Sequence, residues 1–562
     1  MKLARQVSFL ARIATLCAAV VWITAAFAGQ TAGSVGQAPA RTPAGGTPPL
    51  ATYTVLYNAS GDPNPGFLTG VVQGRDGNFY GGSYQGGTNN LGSIYKITPA
   101  GAPTVIYSLT AADGNPQCNP SVEVLGTDGN FYGACSYKSD GYIFKVTPSG
   151  TFTHLHDFTG ADGMEPFLEF QGSNGNFYGG CQGGGSGGEG TVFKITPTGT
   201  LTTIYSFAGG DPIYEPTGLV QSSNGDFYGV GYQGDGTQGG VFKLTAAGVL
   251  TPLHDFEGGA SDGTNPSGFA LGTDGNFYGA TEMGGVNNEG TIYKITPAGT
   301  FTLLHSFNVT TDEGEYPSAP LTQGSDGNFY STAVNCDVFG CGLPENIFEI
   351  TPRGAYTSLA SFNVTNGEFP FAGVTQDTSG IFYSVTDQGG TNGQGVFYSL
   401  NNNLSAFASL VGTSGKEGAK VGILGQGFSN ASVVKFDGVQ ATTVMRTGAT
   451  FLSATIPAGA LSGSVTVTTG ATTLTSNKKF SVTPTISGFS PPSGPVGTPV
   501  TITGTGLLQA TKVTFNHVVA TTFTVNSDTQ VTATVPTGAT TGKIAVTTTG
   551  GTATGATNFT VN

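Results

Sequence analysis

Three observations predict an all-β chain, a seven-bladed β-propeller followed by two immunoglobulin-like β-sandwich domains. The first is a recurring pentapeptide: Asp76-Gly77-Asn78-Phe79-Tyr80 has near copies ending at Tyr132, Tyr178, Tyr228, Tyr278, Tyr330 and Tyr383, and its glycines lie 46 to 53 residues apart. That period belongs to radially repeated β architectures. The second is composition, with 91 Gly in 562 residues and only 10% charged side chains, which favours turn-rich β structure over helical bundles. The third is a longer repeat near the C-terminus, where Gly415, Gly425, Gly427, Phe436, Pro457 and Phe480 recur 79 residues later.

The chain opens with Lys2, Arg5 and Arg12, then an apolar run from Ile13 to Phe27 ending in Ala26-Phe27-Ala28. This pattern predicts a signal peptide over residues 1–28, cut at an A-x-A site, and export to the extracellular space or cell surface. No later segment is apolar enough to span a bilayer as a helix. Residues 29–50 are rich in Gly, Ala, Pro and Thr without periodicity, and predict a flexible leader.

Residues 51–405 carry the seven units, and the fifth shows the plan. Gly268 to Leu271 is a first strand, Asp274-Gly275 a two-residue hairpin turn, and Asn276 to Ala280 a second strand rich in aromatic residues. A Gly-rich loop leads to a third strand from Thr291 to Thr296, and Pro297-Ala298-Gly299 turns into a fourth from Phe301 to Phe307. The fourth-strand pattern occurs eight times for seven units, because Thr52 to Tyr57 shows it before the first. Pairing that segment with the last unit leaves no open edge where the ends meet, and predicts that it closes the ring.

Gly190 to Thr200 reads Gly-Thr-Val-Phe-Lys-Ile-Thr-Pro-Thr-Gly-Thr. With the pentapeptide, it resembles the GloVer tandem repeat, a bacterial family of secreted proteins with varied anchoring ends. The resemblance implies a fold and no established activity. Residues 406–482 and 483–562 form the two C-terminal domains, and Ser490-Pro491-Pro492-Ser493-Gly494 with Val500 to Gly506 resembles the IPT/TIG domain. Such domains in bacterial surface proteins imply spacer or interaction modules.

Charge is uneven. Residues 51–400 hold 31 acidic and 8 basic side chains, so the repeats repel phosphate backbones and nucleic acid is not an expected partner. A glycan or a surface protein fits better. Five cysteines remain after signal cleavage, and Cys336 with Cys341 is the expected disulfide because they share one loop.

The candidate ligand groups lie in the fourth-to-first and second-to-third connections, which emerge on one face. Asp113, Asp162, Asp211, Asp262 and Asp312 recur in the former, and Tyr84, Tyr137 and Tyr232 begin the latter. Ring oxygens of this kind bind Ca2+ or sugar hydroxyls, although Asp-Gly and Pro also serve simply as turn residues, the simpler expectation here. Stacking on sugars is the functional role for the tyrosines, packing the structural one. His156, His254 and His305 share their place with Tyr107 and Tyr205, which points to packing rather than proton transfer. Gly184-Gly185-Ser186-Gly187-Gly188 satisfies a hydrolase motif but no helix follows it, so no strained elbow forms. No catalytic residue and no resident cofactor or metal is expected. The predicted function is a non-catalytic binding or structural protein, with a glycan-active lyase or hydrolase as the alternative.

Overall fold

A computed structural model of the chain describes residues 51–562 except 114–118, 137–139, 223–224, 233–237, 309, 311–312 and 335–344. The predicted signal peptide, leader and Cys336–Cys341 disulfide therefore lie outside the described residues, as do Asp312 and Tyr137. Among the described residues the strands are joined by turns and loops, with a 3-10 turn at Ala111–Asp113. No helix among the described residues is long and apolar enough to cross a membrane.

Residues 52–401 form seven antiparallel sheets. In the fifth unit the strands are Gly263–Leu271, Phe277–Gly284, Thr291–Ile295 and Phe301–Ser306, paired in that order. The seventh sheet takes its outer strand from the other end of the repeat region: Thr52–Asn58 pairs antiparallel with Val396–Asn401. Ser409–Val411, the competing segment, pairs instead with Lys420–Leu424 in the following region.

The pentapeptide explains both the turns and the packing between sheets. In the first unit the Asn78 backbone N–H and Nδ2 donate to Asp76 at 3.2 and 2.7 Å, and Tyr80 Oη donates at 3.0 Å. Asp128, Asp274 and Asp326 accept the same three bonds. The hairpin turn differs from the expected two-residue form. Gly275 N–H donates to Gly272 O at 2.9 Å, so Thr273 and Asp274 are the turn centre and Gly275 follows at φ 82°. A type I turn needs a left-handed residue after it to rejoin the ladder, and glycine occupies that position without a Cβ penalty.

Each pentapeptide tyrosine then meets the phenylalanine of the next sheet. Centroid distances run Tyr80–Phe131 4.0 Å, Tyr132–Phe177 3.9 Å, Tyr178–Phe227 5.1 Å, Tyr228–Phe277 4.3 Å, Tyr278–Phe329 4.0 Å and Tyr330–Phe382 4.2 Å. The series closes with Tyr383 against Phe79 at 4.4 Å, so the seventh sheet packs on the first. Buried aromatic pairs at these separations contribute about 0.5–1.5 kcal/mol each beyond their area.

Residues 409–561 form two further sets of facing sheets with matching strand order. Their cores correspond at the 79-residue offset: Ile423, Val434, Phe436, Val467 and Phe480 occupy the places of Ile502, Val513, Phe515, Val546 and Phe559. Alternation along each strand places one face on that core.

Candidate ligand face

The recurring aspartates are spent within their own loops. Asp113 accepts from Tyr107 Oη at 2.9 Å, from Thr110 N–H at 2.7 Å and from Thr110 Oγ1 at 2.8 Å. Asp162 is bonded to His156 Nε2 at 2.8 Å and accepts from Thr159 N–H at 2.9 Å. Tyr205 and the Ala208 N–H serve Asp211, while His254 and the N–H groups of Glu257 and Gly263 serve Asp262. In the sixth unit Glu313, which the sequence reading passed over, bonds His305 at 3.0 Å. Each ring that holds a carboxylate is itself held: Tyr107 stacks on Phe152 at 4.5 Å and His254 on Phe301 at 4.2 Å.

Burial raises the Asp113 and Asp162 carboxyls, but the bonds from Thr110 or Thr159 and from the ring outweigh it and leave both below the usual range. The equivalent aspartates are thus loop clamps at the outer strands. An open groove of about 550 Å³ lies beside one of them, lined in part by His254, Asp255, Glu257, Asp262 and Phe301. His254 and Asp262 bond each other there.

The inner strands are arranged differently. Thr69 Oγ1 donates to Pro120 O at 2.8 Å, Thr217 to Pro266 O at 3.2 Å, Ser267 to Pro317 O at 2.8 Å and Thr375 to Val71 O at 2.6 Å. These bonds stitch first strands of successive sheets side by side. In the second and third sheets Glu123 accepts from Leu168 N–H at 2.8 Å and Glu169 from Leu219 N–H. Glu169 reaches water yet is enclosed by protein, and this desolvation pushes its carboxyl up to about 8. Glu123 is raised well above the usual range, first by burial.

At the loop end of this inner ring one residue in each of six sheets, all but the second, has left-handed backbone: Phe67 (φ 54°), Glu165 (55°), Glu215 (50°), Asn265 (56°), Tyr316 (47°) and Phe369 (56°). Five of these precede proline, a position that normally disfavours the helical regions, and non-glycine residues rarely adopt positive φ. The ring divides by chemistry. Glu165, Glu215 and Asn265 stand in the third, fourth and fifth sheets, whereas Tyr316, Phe369 and Phe67 stand in the sixth, seventh and first.

The second strands add a matching tier. Gly66↔Gln85 and Leu68↔Ser83 bracket Phe67 and Tyr84, and Thr264↔Met283 and Pro266↔Thr281 bracket Asn265 and Glu282. Tyr214↔Tyr232 and Pro216↔Gly231 set Tyr232 beside Glu215. The structure therefore brings two of the predicted tyrosines, Tyr84 and Tyr232, to this ring while leaving the predicted aspartates outside it.

Electrostatics mark the acidic half. Burial, then the charges of Glu189 and Glu165, push the Glu215 carboxyl up to about 7. Burial alone takes Glu282 to about 7 and raises Glu165. Tyr232 is raised by burial and then by Glu282 and Glu215, which places all three together. Asn265 Oδ1 is buried without a hydrogen-bond partner, as is Asp387 Oδ1 across from Phe369. The available signal in the sequence was variation: the loop aspartate stays nearly constant between units while the residue before proline changes from Glu to Asn, Tyr and Phe.

The opposite face, where the pentapeptide turns emerge, is partly covered. Thr450 Oγ1 donates to Arg75 O at 2.7 Å, and the Arg75 guanidinium lies 4.4 Å from the Phe451 ring centroid. Gln426 Nε2 bonds Thr378 Oγ1 at 2.9 Å, and Leu125 packs on Val411, Leu424 and Phe451. The region following the repeats thus docks on turns of the first, second and seventh sheets. Cys135 is disulfide-bonded and Cys181 is a buried free thiol. No group of three or more His, Cys, Asp or Glu among the described residues lies close enough to hold a metal ion.

A family model described as the Gloeobacter/Verrucomicrobia repeat matches residues 42–238 and 215–443, and the IPT/TIG domain model matches residues 484–561. No curated protein matches the chain. Among solved structures, a fungal alcohol oxidase of the AA5 family in complex with copper is 13% identical, over 77% of this chain and 100% of its own, with a TM-score of 0.45. XC5397, a gluconolactonase from Xanthomonas campestris, is 12% identical over 52% of this chain and 93% of its own, at 0.33. SGBP-B from a xyloglucan utilization locus in Bacteroides uniformis is 24% identical over 26% and 46%, at 0.15.

Proposed function

Because the chain belongs to the Gloeobacter/Verrucomicrobia repeat family, we propose that it is a secreted or cell-surface binding protein built on a seven-bladed propeller. In this reading residues 51–405 are the propeller, and residues 406–482 and 483–562 are two immunoglobulin-like spacer domains. The inner ring on the loop face takes the ligand, a glycan. The observation that carries the reading is the contrast between faces: Thr450 and Phe451 occupy the turn face, whereas the loop face ends in side chains that differ from blade to blade around a common backbone. Carboxylates, an amide and aromatic faces are the groups that bond sugar hydroxyls and stack on sugar rings.

A glycan-active lyase or hydrolase is the second reading. Glu123 and Glu169 favour it, because adjacent inner strands carry raised carboxyls that their sister blades lack. Both, however, accept backbone N–H groups of the next blade, which is a structural use of an acid. A glycan panel assayed for binding and turnover, with and without Ca2+, separates the two. Saturable binding without turnover, lost on replacing Glu215 and Glu282, is the expected result. Turnover abolished by Glu169→Gln establishes the enzyme instead.

A further inference from the structure

We propose that the acidic half of the inner ring binds a primary ammonium group, so that the ligand is an amino sugar with a free amine lying against the aromatic half. The inference rests on the reading that this ring is the ligand face, and it deepens that reading by naming the ligand class.

Donors and acceptors decide the matter. Glu165, Glu215 and Glu282 join no ion pair and accept no hydrogen bond among the described residues, and Asn265 Oδ1 is unpartnered in a residue only 9% exposed. Beside them stands one hydroxyl, that of Tyr232. Two basic side chains of the repeats are engaged elsewhere: Arg75 lies on the turn face against Phe451, and Lys243 pairs with Asp226 at 2.8 Å. A site made of unpaired acceptors is complementary to a ligand that brings donors and positive charge. An ammonium has three donors and no acceptor. An N-acetylated amine has lost the charge and presents a carbonyl oxygen to carboxylates.

Two competing occupants fit less well. A divalent cation such as Ca2+ needs six to eight oxygens around it, and among the described residues no trio of acidic groups is close enough to begin such a shell. A lysine side chain supplies the ammonium but no hydroxyls for acceptors spread over three adjacent sheets. An amino sugar supplies both, and its ring has an apolar face for Phe67, Tyr316 and Phe369. Phe371, 42% exposed and stacked on Phe369 at 5.9 Å, extends that surface.

Binding is then linked to protons. Glu165, Glu189 and Tyr232 face Glu215, and Tyr232 faces Glu282, so no cation now opposes their protonation. An ammonium arriving near pH 6.5 displaces protons from this group, and its affinity rises with pH until the amine itself deprotonates.

Calorimetric titration of the full chain with a glucosamine tetramer, an N-acetylglucosamine tetramer and a tetralysine peptide tests the proposal. The free-amine sugar is expected to bind about tenfold or more tighter than the acetylated one, a gap that two unpaired buried acceptors suffice to produce. Its heat should vary with buffer ionisation enthalpy, reporting proton release. The double variant Glu215→Gln, Glu282→Gln should lose that preference without a fall in melting temperature, while Glu257→Gln at the outer groove should keep it. Equal or tighter binding of the acetylated tetramer overturns the ammonium assignment and leaves the glycan reading standing. Tetralysine binding as tightly as the free-amine sugar overturns the sugar assignment. Binding by none of the three overturns this proposal, and failure of the whole glycan panel is what overturns the broader reading.

Discussion

Asp162 and Glu165 stand three residues apart in one connection and end in opposite conditions. Asp162 is clamped by Thr159 and His156 and held below the usual carboxylate range despite burial. Glu165 is raised by burial with nothing to oppose it. Asp113 repeats the first state, and Glu215 and Glu282 repeat the second. The difference shows that acidity in a repeat protein is not one property. A carboxylate that faces the N–H groups of its own turn is part of the scaffold, whereas one left-handed residue later in the loop the chain presents a carboxylate to the ring interior without a partner.

The largest effect that tests this contrast is on stability. Asp162→Ala leaves the Thr159 N–H, the Thr159 hydroxyl and His156 without their acceptor, and is expected to cost about 2–3 kcal/mol in urea unfolding at pH 7. Glu165→Gln removes no bond and should stay within about 0.5 kcal/mol of the parent. Equal losses from both substitutions break the comparison.

Titration sharpens it next, because the two classes have opposite signs. Glu215 and Glu282 hold protons in the folded state up to about 7, above the ordinary glutamate value of 4.5. The folded state therefore binds more protons than the unfolded one across that window, and stability falls as pH rises through it, by on the order of 1–2 kcal/mol per group after allowing for partial solvent contact. Asp113 and Asp162, held low, contribute stability that is present above the unfolded aspartate value and is lost as pH falls through their folded one. The double variant Glu215→Gln, Glu282→Gln should flatten the decline between pH 5 and 7.5 and leave the acid limb unchanged. A decline that persists in the double variant assigns the slope to other groups.

The fold was more legible than the site, for a physical reason. Repetition exposes what every unit needs: the pentapeptide spacing announces the turn, its tyrosine and phenylalanine are the pair that packs sheet on sheet, and the surplus strand pattern at Thr52 identifies the closing strand. The turn centre shifted by one residue, because Gly275 closes the turn on Gly272 O instead of sitting at its centre. The same logic misdirects a search for function. Asp113 and its equivalents recur because they hold loops. Glu165, Glu215 and Asn265 matter because they differ, and their shared positive φ is a backbone feature that no local pattern encodes. The docking of Thr450 and Phe451 on Arg75 was likewise invisible, since it joins segments 375 residues apart.

The smallest effect separates a covered turn from an open turn of the same face. Gly77 and Gly275 occupy equivalent turns at φ 80° and 82°, but a Cβ on Gly77 meets Thr450 Cγ2 at 3.2 Å and one on Gly275 meets nothing within 4 Å. Left-handed backbone penalises valine by about 1–2 kcal/mol at either position. Gly77→Val must also displace Thr450, whose hydroxyl bonds Arg75 O, and is expected to lose about 0.5–1 kcal/mol more than Gly275→Val. Thermal unfolding of the two variants reads that difference, and faster proteolysis between the repeats and the following domain in Gly77→Val alone locates it. Ligand binding should be the same in both, because the inner ring lies on the other face. Identical losses in the two variants mean that the Thr450 contact adds nothing to stability and that the first turn is as free as the fifth.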